Sequence, residues 1–237
     1  MSKYTKRFDG RKLDETRKIK IELDIIPNAD GSALFAFGDT IAMAAVYGPK
    51  QLHPQHMQNP QKGLLRVKYD MMSFSVTERK RPGPNRRGTE ISKVSEWALA
   101  DVVDLDNYPN TVVDVHIMIP QANASTRVAG INAAVLALAR AGVPMKEMCA
   151  AVSIGKLDKT LVVDVIKEEE DYEEGEGATD IAMVFSSRTK KVLLLQLDGK
   201  ITSEELKEAL QLGVKTCDKL NEQMKEALKK LNNGGEN

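Results

Sequence analysis

Hydrophobic and polar positions along the chain switch period several times, and each switch marks an element. Lys18 to Ile26 (KIKIELDII) alternates polar and apolar residues, the period of a half-buried strand. Asn28 to Ser32 is a turn, and the runs ALFAF and TIAMAAVYG that follow are strands joined at Gly38-Asp39, a hairpin. Pro49 to Lys62 is polar and loop-like. Gly63 to Phe74 alternates again, with Leu65, Val67 and Tyr69 on one face and Arg66, Lys68 and Asp70 on the other. A helix is predicted from about Thr89 to Val103. Thr111 to Ile119 is crowded with β-branched residues, and Pro120, which has no N–H, is expected to end that strand. Arg127 to Arg140 is Ala-rich and apolar on most sides, so it reads as a buried helix, closed by Gly142 and Pro144.

Two more hairpins follow. One joins AAVSIG to LVVDVI within Cys149–Ile166; the other joins IAMVFSS to KVLLLQLDG within Asp180–Asp198. The acidic stretch Glu168–Glu176 between them is expected to be a flexible loop. Thr202-Ser-Glu-Glu205 is a capping box opening a long helix with an apolar stripe from Leu206 to Leu231. Met1–Arg17 reads as a polar arm, solvated or docked on a partner, and 232–237 as a disordered tail. The order β-β-β-β-α-β-α-β-β-β-β-α predicts a layered α+β fold with mixed sheets, and the whole of 1–237 is expected to form one domain.

Composition narrows the class. With 42% hydrophobic and 29% charged residues in 237, the chain is globular and long enough for a substantial core. No apolar run is long enough to span a bilayer, and MSKYTKRFDG lacks the apolar region of a secretion signal, so a soluble, cytoplasmic protein is expected. Two cysteines, Cys149 and Cys217, offer no disulfide framework and no CxxC metal site. Net charge is zero, so any attraction for a polyanion must come from local patches.

Two such patches stand out. Ser125, Thr126 and Arg127 lie at the start of the Ala-rich helix, where free N–H groups, hydroxyls and a guanidinium together suit a phosphate; the alternative is that Ser125 or Thr126 is only an N-cap. Glu78–Arg87 is the most basic stretch, and Arg86 and Arg87 fall just before a helix, where arginines suit bidentate phosphate contacts; the alternative is a solvated loop. His53 and His56 have no carboxylate at metal-ligand spacing and are read as loop residues. Asp180, following the acidic loop, suits a turn on composition alone.

These residues carry a resemblance that covers nearly the whole chain. RFDGRKLDETR at 7–17, NADGSA at 28–33, AAVYGPKQLHPQHMQNP at 44–60, LLRVKYDMMSFSVTERKRPGPNRR at 64–87, EISKV at 90–94, STRVAGINAAVLALARAGVPM at 125–145 and LLLQLDGKIT at 193–202 together resemble the RNase PH family of phosphorolytic exoribonucleases. Within it they are most similar to the catalytic type of archaeal exosome ring subunit. The resemblance implies an RNase PH-like fold (ribosomal protein S5 domain 2-like). It implies 3′→5′ degradation of single-stranded RNA to nucleoside diphosphates, reversible to 3′ tail synthesis. Inorganic phosphate would be the co-substrate and Mg²⁺ a cofactor.

Matched by position, the resemblance makes Asp180 the catalytic carboxylate and a possible metal ligand. Arg87, Ser125, Thr126 and Arg127 would bind phosphate, and Arg66, Lys68, Arg86 and Arg87 would hold RNA. The implied partners are a related inactive subunit, alternating in a hetero-hexameric ring, and RNA-binding cap subunits. The chain departs from the family pattern where Asn123-Ala-Ser125 stands for Asp-Ala-Gly, and where Ala178-Thr-Asp180 precedes Ile181-Ala182 rather than a proline. Two other readings stand beside the enzyme: an inactive RNA-binding ring scaffold, and a hydrolytic nuclease, which would need clustered metal-binding carboxylates.

Overall fold

The computed structural model describes residues 4–233, which form nine strands and four α-helices. The first half holds β1 (Ile19–Leu23), β2 (Gly31–Phe37), β3 (Thr40–Gln51), β4 (Leu64–Met71), α1 (Arg86–Ala100), β5 (Thr111–Gln121) and α2 (Thr126–Arg140). The second holds β6 (Cys149–Leu157), β7 (Thr160–Val163), α3 (Lys167–Glu170), β8 (Ala178–Ser186), β9 (Val192–Asp198) and α4 (Ser203–Asn233). Five strands make a mixed sheet in the order β1-β2-β3-β5-β4, with β4 and β5 parallel. Four make an antiparallel sheet in the order β7-β6-β8-β9. The fold is α+β, as the element order predicts.

The helix α2 lies between the sheets, against β2, β3 and β5 on one side and β6 and β8 on the other. That position explains its lack of a polar face: twelve of its fifteen residues are buried. Small residues let it approach closely; a Cβ on Gly130 would stand 2.8 Å from Ile117 Cγ2. Its one buried amide, Asn132, accepts from Ala151 N (2.8 Å) and donates to Ala151 O (2.9 Å). These bonds serve a stretch of β6 that β7 is too short to pair. A single apolar core runs from Phe35 and Ile117 through α2 to Val152, Met183 and Leu220. On the other side, α1 packs on β4 and reaches β9, while α4 covers β6.

Five expectations change. Pro120 does not end the strand; β5 runs on to Gln121 through a bulge, since Ile41 pairs with Gln121 but Met43 with Met118. Helix α1 starts at Arg86, because Asn85 caps it: Asn85 Oδ1 accepts from Gly88 N at 2.7 Å. The acidic stretch is not all loop, for Glu169 sits in the short α3 and is fully buried. The tail expected at 232–237 begins inside α4 as far as Asn233, and 234–237 lie outside the described residues.

The fifth change is the N-terminal arm, which folds onto its own chain. Tyr4 joins Leu157, Val162 and Val165 in a second apolar cluster, and its hydroxyl donates to Glu169 Oε1 (2.7 Å). The Arg7 side chain is fully buried, with a bidentate pair to Glu169 (2.7 and 2.8 Å) and bonds to the carbonyls of Val163 and Asp164. Arg17 grips Asp164 the same way, at 2.6 and 2.9 Å. The arm is ordered because two buried carboxylates, Asp164 just after β7 and Glu169 in α3, need a cation and an apolar face needs a cover. Breaking either buried pair would cost about 3–5 kcal/mol.

Candidate active site

Helix α2 begins at a loop with unusual backbone. Ala124 and Ser125 both have φ of 53°, the left-handed region that favours glycine. Ser125 occupies the N-cap position but does not cap; its hydroxyl donates to Val165 O at 3.1 Å instead. The first-turn N–H groups of α2 therefore have no side-chain cap, and the dipole end stays available to an anion. Thr126, the first helical residue, is 5% exposed. Arg127 reaches Glu90 Oε2 at 3.4 Å, yet its Nε is buried with no hydrogen-bond partner among the described residues. The Tyr69 hydroxyl is buried beside it, with Thr126 as its neighbour. Burial pushes the Tyr69 phenol up, while a hydrogen bond with Thr126 and the charges of Arg87 and Arg127 pull it down. A buried guanidinium N–H without an acceptor among the described residues, beside an uncapped helix end, suits an anion.

The second patch joins the first through β4. Tyr69 N donates to Ser92 Oγ of α1 at 2.8 Å, which fixes α1 against the strand. The Asn85 cap then sets Arg86 and Arg87 as the opening residues of α1. Both are exposed, and among the described residues neither has a carboxylate partner. Arg87 belongs to the group around Tyr69.

Arg66 and Lys68 lie on the solvent face of β4, as the alternation predicts. They are not equivalent. Arg66 holds Asp114 of β5 with both arms of its fork (2.6 and 2.9 Å), and Lys50 adds a third contact at 2.8 Å. Burial pushes the Asp114 carboxyl up, but the bonds from Arg66 and Lys50 outweigh it and hold it below the usual carboxylate range. Lys68 has no ion pair among the described residues. Among the described residues no hydrogen bond or ion pair ties Arg66 or Lys68 to Asp180.

Asp180 lies on β8, paired with Gly155 on one side and with Asp198 of β9 on the other. Ser153 Oγ donates to its Oδ1 at 2.8 Å. Burial pushes the Asp180 carboxyl above the usual range; Ser153 and Arg127 oppose the rise, and Glu170 and Asp198 add to it. The charge of Arg127, at the start of α2, thus acts on the Asp180 carboxyl. The sequence reading assigned no role to Ser153, Glu90, Gln196 or Asp198. Glu90 and Gln196 are hydrogen-bonded and orient Arg127; both sit in stretches quoted above, EISKV and LLLQLDG, as does Asp198. The register of Asp198 opposite Asp180 was readable only once the hairpin alignment was known.

The donor set suits Mg²⁺. Asp180 and Asp198 face each other as hard oxygen ligands, and Mg²⁺ typically takes one or two carboxylates plus substrate phosphates. No group of three or more His, Cys, Asp or Glu that could hold a metal occurs among the described residues, which gives no support to a nuclease built on clustered metal carboxylates.

Known proteins place the chain. The 3′ exoribonuclease family matches twice, domain 1 over residues 15–144 and domain 2 over 147–216. The exosome complex component Rrp41 of Thermococcus kodakarensis is 48% identical over 224 residues, covering 94% of this chain and 88% of that protein. The Archaeoglobus fulgidus component of the same name is 44% identical over 225 residues, covering 94% and 86%. Among solved structures, rice Rrp46 superposes with a TM-score of 0.81 at 25% identity, covering 92% of this chain and 98% of that one. A chain of the Archaeoglobus fulgidus exosome with RNA bound to the active site superposes with a TM-score of 0.76 at 22% identity, covering 92% of each, and shares the fold. No helix among the described residues is long and apolar enough to cross a membrane. The chain belongs to the 3′ exoribonuclease, or RNase PH, family.

Proposed function

We propose that this chain shortens single-stranded RNA from its 3′ end by phosphorolysis. One observation carries the reading: the buried, acceptorless Arg127 Nε beside the uncapped start of α2, with a raised carboxyl, Asp180, within its field. An inorganic phosphate in that cradle would meet the N–H groups of α2, Thr126 and Arg127, with Arg87 adding positive charge from the start of α1. An oxygen of that phosphate attacks the phosphorus of the last internucleotide bond. The bond from phosphorus to the 3′-oxygen of the penultimate nucleotide breaks, and a nucleoside 5′-diphosphate leaves. The 3′-oxygen takes a proton, and a carboxyl whose pKa is raised by burial is suited to supply it. Two anions must be held together in the transition state, which the fixed positive field of Arg87, Arg127 and the helix end favours. The alternative role for Asp180 is ionised: with Asp198 opposite it in register it would hold Mg²⁺, whose charge would stabilise the leaving oxygen in place of the proton. Because phosphate and nucleotide exchange places, excess nucleoside diphosphate drives tail synthesis.

Transfer is to phosphate, not to water, so the activity is that of a nucleotidyltransferase. Arg66, Lys68 and Arg86 would track the RNA backbone without reading sequence. The relatives are named as exosome components, and we extend that to this chain: a cytoplasmic hetero-hexameric ring with a related inactive subunit, closed by RNA-binding caps. The same reading treats 1–237 as one domain, supported by the core that joins both sheets.

The test is direct. RNA labelled along its body is incubated with the chain, alone and with its ring partner, with Mg²⁺ and with or without phosphate, and products are separated by chromatography. Nucleoside diphosphates formed only with phosphate are expected. Monophosphates formed without phosphate would point to hydrolysis, and bound RNA with no product in any tube would make the chain a scaffold.

A further inference from the structure

The loop that carries the phosphate cradle has little local structure of its own, with two successive residues in left-handed backbone. Its anchor lies elsewhere. Thr40, the fully buried first residue of β3, places its hydroxyl 2.8 Å from Asn123 O, 2.9 Å from Ala124 O and 3.0 Å from Asn123 N. Arg17 sends Nη1 to Asn123 O (2.7 Å) and to Thr40 Oγ1 (3.1 Å), while its other nitrogens grip Asp164. On the far side, Asn123 Oδ1 accepts from Lys167 N at 2.9 Å, and α3 is itself clamped by the Glu169–Arg7 pair. So the loop is held between β3 and the folded-back arm, by groups far away in sequence.

We propose that Arg17 and Thr40 are positioning residues that set the backbone of Asn123–Ser125, and with it the aim of the α2 N-terminus at the phosphate co-substrate. Neither side chain reaches the reacting atoms; they act through the loop. The threonine hydroxyl accepts the Asn123 N–H and the arginine fork, and donates to one of the two carbonyls. Removing it leaves a buried N–H without an acceptor and the loop free to relax. This inference rests on the phosphorolytic reading, and the test separates the two.

The full chain, in the assembly that shows turnover, is prepared as wild type, Thr40→Val, Thr40→Ser and Arg17→Lys. Valine keeps the shape and removes the hydroxyl; serine keeps the hydroxyl. Lysine keeps the charge beside Asp164 and loses the second arm, and it carries the same test if the valine variant does not fold. The readouts are KM for phosphate, kcat at saturating phosphate, RNA affinity, thermal midpoint and amide hydrogen exchange over 122–127. Thr40→Val is expected to raise KM for phosphate about tenfold, with kcat within about twofold and RNA affinity unchanged. Exchange should quicken at Asn123 and also at Ala124, Ser125 and Thr126, and Thr40→Ser should restore both readouts. An unchanged KM in a folded variant would overturn the proposal. So would a parallel loss of KM, kcat, RNA affinity and stability that serine does not rescue. If wild type shows no phosphate-dependent turnover, the functional reading fails; unchanged exchange in Thr40→Val would then overturn the loop proposal on its own.

Discussion

Asp114, buried on the five-stranded sheet, and Asp180, half-buried on the four-stranded sheet, are pushed in opposite directions by their surroundings. Asp114 lies on β5 with Arg66 and Lys50 in contact, which overcome its burial and keep it ionised. Asp180 has a serine hydroxyl, a more distant arginine and two other carboxylates, so burial prevails and its proton is held more tightly. One arrangement locks a charge; the other leaves a carboxyl poised to exchange a proton. The difference separates a carboxylate that maintains the fold from one available for chemistry. It also bears on the cations: Arg66 is occupied by Asp114, whereas the Nε of Arg127 is left without an acceptor.

The largest effect should come from removing the poised carboxyl. Asp180→Asn is expected to lower turnover about a thousandfold, the scale of a lost general acid, with RNA binding unchanged in a filter assay. The same variant should melt higher than wild type at neutral pH. A carboxyl whose folded pKa is raised costs stability as pH rises from its unfolded value through its folded one, and in acid the gain should vanish. Next in size is Arg127→Met, expected to weaken phosphate binding about a hundredfold, read as KM for phosphate in steady-state kinetics.

Smaller still is Arg66→Ala. It should cost about 1 kcal/mol at most, because Arg66 is half exposed and Lys50 remains beside Asp114. Here the sign is reversed: a depressed carboxylate stabilises above its unfolded pKa, and that contribution fades as pH falls through the folded pKa. Thermal melts should therefore show wild type and variant converging in acid. Lys68→Ala, by contrast, should reduce the salt slope of RNA binding by about one, with little effect on melting. Smallest is Ser125→Gly, expected to add about 0.5 kcal/mol by relieving left-handed backbone, partly offset by the lost bond to Val165 O.

Most of the fold was legible because its signals are local. Alternation in β4 and the small apolar residues of α2 announce their faces directly. What escaped depended on distant partners. The arm looks solvated on composition, and only Glu169 and Asp164, about 150 residues away, bring it down. Pro120 looks like a terminator, but a bulge accommodates it. Ser125 looks like a helix cap, yet a positive φ and the Val165 carbonyl turn its hydroxyl elsewhere. In the site, Arg86, Arg87 and Arg127 were readable as cations at helix starts. Ser153 and Asp198 were not, since their roles depend on strand register opposite Asp180. Asp180 itself was placed by family spacing, not by any local pattern.

The contrast between the two carboxylates can be measured in one experiment, a pH titration of side-chain carboxyl carbons by NMR, with Asp180→Asn and Asp114→Asn for assignment. The account predicts that Asp180 titrates above the ordinary aspartate value of about 3.9 and Asp114 below it. An Asp180 that titrates at or below that value, with Asp114 no lower, would contradict the claim that this fold holds one carboxyl ready for proton transfer near the anion-binding end of α2.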